Sequence, residues 1–229
     1  MAPRSSSPRV TTSLAFFAAI LSLVSTGCTT WPFRAKERTS IITPGMRVAA
    51  VREMGAQADD IDAAEQARLS EQLANQIRTE PDPLVRRAIQ ETVAEYSTPL
   101  AQQMLLAGLN DDDLDVRLAC CLKLGERADP STVAQLQEVL KNDEELDVRL
   151  AAVDALGKIR SSESVAALGI AVNDRDPAMQ YAAVQSLQAV SGLELGNDVQ
   201  VWREYAAGKQ PQISPQLSVA ERIKKYSPF

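Results

Sequence analysis

An all-α solenoid of stacked helix pairs is the fold this sequence predicts, and three observations predict it. The string Asp115-Val116-Arg117-Leu118-Ala119 returns unchanged as Asp147-Val148-Arg149-Leu150-Ala151, which puts the two arginines 32 residues apart. A period in that range marks units that stack because none can bury its apolar face alone. The same column extends in both directions, through Arg86 after Asp82-Pro83-Leu84-Val85 and through Gln180 after Asp176-Pro177-Ala178-Met179. Within each unit the apolar residues fall at three- and four-residue steps, the spacing of one buried helical face.

Taken in chain order, the units number about five. Met46-Arg47-Val48-Ala49-Ala50-Val51 with Met54-Gly55 aligns with Val148 to Val153 and Leu156-Gly157, giving a first, irregular unit. In the second, Asp82 is a helix cap and Pro83 suits the first helical position, where a missing N–H costs nothing. Thr98-Pro99-Leu100 reads as the next helix start. In the third and fourth units Val133, Leu136 and Leu140 match Val165, Leu168 and Val172, the stripe of a second helix. Gly125 and Gly157 fall near the ends of first helices, where glycine permits a left-handed cap or close approach of the second helix. The fifth unit repeats the Asp-Pro start at Asp176-Pro177. It then departs from the pattern, with a turn-rich link from Gly192 to Asp198 and a short helix from Val199 to Tyr205. A terminal unit must cover what a missing neighbour would have covered, and Trp202 and Tyr205 are suited to that.

Adjacent cysteines on a helix point about 100° apart. A disulfide between Cys120 and Cys121 would therefore need a distorted backbone. Their repeat counterparts are Ala152 and Val153, so both read as small core residues.

Helix pairs of this length, with Asp-Pro or Asp-x-Val-Arg at the first helix and alanine-rich cores, resemble the short HEAT-like repeats associated with phycobilisome lyases. The resemblance covers residues 43 to 209 and is strongest in the third and fourth units. It implies a right-handed α-α superhelix whose second helices form a concave partner surface. It also implies that Arg86, Arg117 and Arg149, with Asp115 and Asp147, form a structural ladder. The Gly196-x-Asp198 spacing before Trp202-Arg203 is similar to the ending of other bacterial HEAT-repeat proteins.

Arg4 and Arg9 precede an apolar run from Leu14 to Val24, and no acidic residue occurs before Glu37. The run is too short to span a bilayer and reads as a secretory signal. Val24-Ser25-Thr26-Gly27-Cys28 resembles a bacterial lipobox, with serine where leucine is commonest. That likeness implies a signal peptide at residues 1–27, a lipidated Cys28 and a membrane-proximal tether at 28–42. Thr29 after the cysteine is compatible, by resemblance to a Gram-negative sorting rule, with the outer membrane facing the periplasm. Trp31 and Phe33, with Arg34, Lys36 and Arg38 behind them, suit a headgroup region or an ordinary tether. A C-terminal tail at 210–229 carries a capping box, Ser218 to Glu221, before a short amphipathic stretch ending at Tyr226.

The chain has no histidine and a formal net charge of −6. Catalysis by Ser-His-Asp or Cys-His and histidine zinc sites are thereby excluded. Nucleic acid needs a clustered basic surface that is missing here. Asp111-Asp112-Asp113 lacks the order of a calcium loop and reads as a solvated turn. The expectation is a non-catalytic scaffold of the bacterial envelope with no metal, cofactor or small-molecule substrate, binding membrane through Cys28 and a protein through its second helices. Aligning those helices puts Leu106, Gln137 and Gly169 in one variable column and Ala107, Glu138 and Ile170 in the next. The alternative is a lyase-like or accessory enzyme, in which Cys120 and Cys121 are the obvious nucleophiles.

Overall fold

The computed structural model describes residues 42–210, and over them the chain is all-helical. The helices are α1 (Pro44–Ala56), α2 (Ala63–Ile77), α3 (Pro83–Val93), α4 (Pro99–Gly108), α5 (Leu114–Arg127), α6 (Val133–Asn142), α7 (Leu146–Lys158), α8 (Ser162–Val172), α9 (Pro177–Ser191) and α10 (Val199–Ala206). They follow one another as five pairs, with a 3-10 turn, Pro130–Thr132, leading into α6. The signal sequence, Cys28 and the amphipathic stretch near Tyr226 lie outside the described residues.

Short polar side chains start the helices. Asp82 accepts from the Leu84 amide at 3.0 Å, Asp176 from Ala178 at 2.8 Å and Thr98 from Ala101 at 3.1 Å, each followed by proline at the first helical position. Asp113, the last of the acidic triplet, caps α5 by accepting from Asp115 and Val116. Asp62 caps α2 through the Glu65 amide at 2.8 Å.

The odd-numbered helices form one continuous layer, α1 on α3 on α5 on α7 on α9. Their apolar stripes make its core: Val148, Ala151, Ala152, Ala155 and Leu156 are all buried, as are Cys120 and Cys121. In the even-numbered layer α2 meets α4, and α6 and α10 both meet α8, but α4 and α6 scarcely touch.

Glycines set how closely the first helices approach. A Cβ on Gly125 would stand 2.6 Å from the Ala155 Cα, and one on Gly157 would stand 2.6 Å from the Ser186 Oγ. The close neighbour is the first helix of the following unit, not the second helix of the same unit as expected from sequence. Neither glycine is a left-handed cap: α5 ends at Ala128 with φ of 51°, and α7 ends in extended backbone at Ile159. Gly55 faces Thr92 in the same way at 3.2 Å. At the junction of the second and third units the corresponding positions are Ala94 and Lys123, and α3 and α5 pack less closely than the other first-helix neighbours.

The C-terminal pair ends differently. Trp202 is fully buried, donates from Nε1 to the Gly196 carbonyl at 2.7 Å and meets Tyr205 edge-on at 5.6 Å. Arg203 ties α10 to the Val172 carbonyl at the end of α8. No helix among the described residues is long and apolar enough to cross a membrane.

Candidate interaction surface

Arg86, Arg117 and Arg149 each stand six residues after an acidic residue in the loop before their helix. Arg117 Nη1 donates to the Asp111 and Asp112 carbonyls at 2.8 and 3.2 Å, while its Nε and Nη2 donate to both oxygens of Asp143 in the next loop at 2.8 and 3.1 Å. Arg86 does the same, grasping the Pro81 carbonyl at 3.0 Å and the Asp111 carboxylate at 2.8 and 2.7 Å. Arg47 reaches Glu80 at 3.0 and 2.9 Å. A carboxylate at each loop therefore receives the arginine of the preceding unit, and the same residue's carbonyl receives its own.

The acidic members of this ladder are Glu80, Asp111 and Asp143, which corrects the assignment of Asp115 and Asp147. Those two are exposed in the first turns of α5 and α7 and form no ion pair among the described residues. There they complement the positive end of the helix dipole. The guanidinium runs along the helix end toward the loop, so a carboxylate on the helix itself is out of its reach. Arg149 departs from the pattern. It holds the Asp143 and Glu144 carbonyls at 2.8 and 3.1 Å but meets no carboxylate among the described residues, and the node beyond it, Asp174, is held instead by Gln180 through its carbonyl at 2.7 Å.

Burial opposes the charge of Asp111 and Asp143. The guanidinium hydrogen bonds and the loop amides of Asp113 and Glu145 outweigh it, and both carboxyls lie below their ordinary value. The hydrogen bonds it donates to Asp111 raise Arg86, and those donated to Asp143 raise Arg117.

The two variable columns of the second helices divide three ways. Leu106 and Glu138 line one cleft of about 590 Å³ in the gap between α4 and α6, with Leu109 and Val139 as its apolar floor. Ala107, on the other flank of α4, lines a separate depression of about 350 Å³ shared with α2. Gln137 lines neither, although it is half-buried. Gly169 lies under α10, where an added Cβ would stand 3.4 Å from Ala206, and Ile170 packs partly buried against the core. The columns stay open between the second and third units and are covered at the fourth.

The cleft is strongly acidic. Asp111 and Asp143 at its edge are neutralised by Arg86 and Arg117, but Asp112, Glu138, Glu144 and Glu145 also line it and have no cationic partner among the described residues. Sequence reading singled out Glu138, took Asp112 for part of a solvated turn and missed Glu144 and Glu145, although acidic residues recur just ahead of both Val-Arg strings. No group of three or more His, Cys, Asp or Glu residues suited to a metal occurs among the described residues.

Both cysteines of α5 are sealed in the core. Burial, aided by the Asp143 charge, pushes the Cys121 thiol up to about 12, and burial also drives Cys120 well up, with Cys121 adding to it. Neither presents a thiolate to solvent near neutral pH.

Comparison with known families agrees with this geometry. The model of HEAT repeats matches residues 70–152 and, overlapping, 103–188, together more than half of the chain. The chain belongs to the HEAT-repeat family. The matched HEAT region runs from α2 to α9 and contains the cleft, the depression beside it and the ladder from Arg86 to Arg149. No curated protein matches the chain.

Proposed function

We propose that this HEAT-repeat protein is a non-catalytic interaction scaffold of the bacterial envelope, held to a membrane by lipid on Cys28. It engages its partner through the acidic cleft between α4 and α6. The observation that carries the reading is that cleft: apolar at its floor, lined by four carboxylates without a cationic partner among the described residues, and placed where the second-helix layer opens. Such a surface favours a cationic segment with a few apolar side chains, and its charge would steer the encounter. The basic start, the Leu14 to Val24 core and Gly27-Cys28 support the anchor. Attachment by two or more acyl chains, at roughly 0.8 kcal/mol per buried methylene, would be effectively permanent. Export would set the partner in the periplasm, with the outer membrane favoured by Thr29.

The test is capture from detergent-solubilised envelope. Wild-type protein should retain a basic partner that Glu138→Lys/Glu145→Lys loses, with helicity and melting unchanged. An identical set of captured proteins would remove the cleft from the proposal. Mass spectrometry of the mature amino terminus should find acylated Cys28; an unmodified terminus elsewhere would remove the anchor and leave the cleft standing.

A further inference from the structure

We infer that in the free protein the acidic cleft between α4 and α6 is occupied by the chain's own cationic segment, Arg222 to Tyr226, which a partner has to displace. The regulatory consequence rests on the reading of the cleft as the partner site; the contact itself rests on charge and reach.

Asp112, Glu138, Glu144 and Glu145 line the cleft without a cationic partner among the described residues. Carboxylates gathered in this way repel one another and attract any cation held within a Debye length, about 10 Å at 0.1 M salt. The chain supplies such cations itself. Arg222, Lys224 and Lys225 are three cations within four residues, a density found nowhere else in the sequence, and Ile223 and Tyr226 are interleaved with them. The segment therefore matches both demands of the cleft, with cations for its carboxylates and apolar side chains for Leu106, Leu109 and Val139.

The geometry of the stack brings the segment within range. α10 ends at Ala206 over Gly169 of α8, where an added Cβ would stand 3.4 Å from the Ala206 Cβ. Gly169 shares its column with Gln137 and Leu106, and Leu106 lines the cleft, so α10 ends level with it. α10 packs on α8, and α8 on α6. Two helix spacings of 8–10 Å put the near wall of the cleft roughly 20 Å away. Residues 211–221 lie between the end of the described chain and Arg222. At about 3.3 Å each they reach roughly 36 Å. Arg34, Lys36 and Arg38 form the other cationic run, but lipid on the nearby Cys28 ties that run to the membrane surface.

A segment joined to its site at this range has an effective concentration of order 1 mM. A contact as weak as a Kd of about 0.1 mM then keeps the cleft closed about tenfold in excess and lowers the apparent affinity of a competitor by about the same factor. Only a segment that competes better than the chain's own gains the cleft.

The test is zero-length carbodiimide coupling of the full-length chain in neutral detergent at low salt, with the coupled peptides mapped by mass spectrometry. Lys224 or Lys225 should couple to Glu138, Glu144 or Glu145, and the yield should fall about fivefold at about 0.5 M salt. Coupling of Lys36 to these carboxylates in their place would overturn the choice of segment. In a mixture of light and nitrogen-15-labelled chains the products should join residues of one chain; mixed products would overturn occupancy from within the chain. A second readout is a fluorescein-labelled peptide of residues 216–229 added to the full-length protein. Arg222→Glu/Lys224→Glu/Lys225→Glu, whose cleft is vacated, should bind it about tenfold more tightly than wild type. Equal affinities would overturn the inference, as would undiminished binding to Glu138→Lys/Glu145→Lys. The two readings of the cleft fail separately. Loss of the intramolecular contact, with a basic envelope partner still captured at the cleft, would sink this inference alone. An intact contact, with capture indifferent to Glu138→Lys/Glu145→Lys, would sink the partner reading alone.

Discussion

Between the third and fourth units, α5 and α7 close on each other where Gly125 meets Ala155; between the second and third, α3 and α5 present Ala94 and Lys123 at those positions and pack less closely. The even-numbered helices follow suit. α6 packs on α8, while α4 and α6 leave the gap that becomes the acidic cleft. What replaces the missing apolar contact at the open seam is polar. Arg127 donates to the Ala94 and Tyr96 carbonyls at 3.1 Å, beside an Arg86–Asp111 clasp of the kind that Arg117 and Asp143 form at the closed seam. A repeat protein's stability is close to a sum over units and seams, so one loosened seam can make a binding surface without disturbing its neighbours. The difference between the two seams comes down to a few side chains.

The largest expected effect comes from cutting the polar clasp. Arg86→Leu and Arg117→Leu should each cost about 2–3 kcal/mol, since each removes a partly buried, two-pronged ion pair together with its loop hydrogen bonds. Their unfolding should differ in form. At the open seam Arg86→Leu should uncouple the first two units from the rest, whereas Arg117→Leu should leave one transition. In a Trp31→Phe background, Trp202 fluorescence reports the last unit and far-ultraviolet circular dichroism the whole stack. Coincident curves for Arg86→Leu would mean the seams are equally coupled. Arg149→Leu, which lacks a carboxylate partner, should cost about 1 kcal/mol or less.

Next comes packing at the closed seam. Gly125→Ala would gain about 1 kcal/mol in helix propensity, yet its Cβ would meet Ala155 backbone, which cannot rotate away. We expect net destabilisation of about 1–2 kcal/mol by urea titration. A stabilised variant would show that α5 and α7 can part freely and that glycine does not set their distance.

A smaller effect, of order 1 kcal/mol, belongs to pH. Asp111 and Asp143 have folded pKa values below their unfolded ones, so their contribution is complete above the unfolded value, near 4. It is lost as pH falls through the depressed folded values. Stability should drop below about pH 4, and Asp111→Asn should flatten part of that slope. A slope unchanged in Asp111→Asn would assign the acid sensitivity to other carboxylates.

Much of this architecture was legible in the sequence because the repeat is written in residues whose roles are local. Asp82-Pro83, Thr98-Pro99 and Asp176-Pro177 start helices by capping, and Val148 to Leu156 mark a face by spacing alone. The ladder was half legible. The arginines recur in a visible column, but their partners were misassigned to the nearest recurring acids, Asp115 and Asp147. The true column, Glu80, Asp111, Asp143 and Asp174, recurs just as regularly; choosing it requires knowing that the guanidinium points back to the loop. The glycines were noticed and given the wrong neighbour, since contact between successive first helices is a property of stacking. The cleft was least legible, because it arises from a seam that fails to close.

The smallest effect on stability should come from rewriting the open seam as a closed one. Ala94→Gly/Lys123→Ala would give α3 and α5 the glycine and alanine that α5 and α7 use. Lys123 pairs with Glu95 and Glu126, both more than half exposed, so its loss should cost only about 0.5 kcal/mol. Glycine at 94, just past the end of α3, should cost a similar amount, partly offset by closer packing. The informative readout is geometric. If side-chain size sets the seam, a crystal structure of the double variant should show α3 nearer α5 and a narrower cleft between α4 and α6, and partner capture should weaken. An unchanged seam would place control in the Arg127 contacts and in the 3-10 turn Pro130–Thr132 that delivers α6, and Arg127→Leu would then be the variant that closes it.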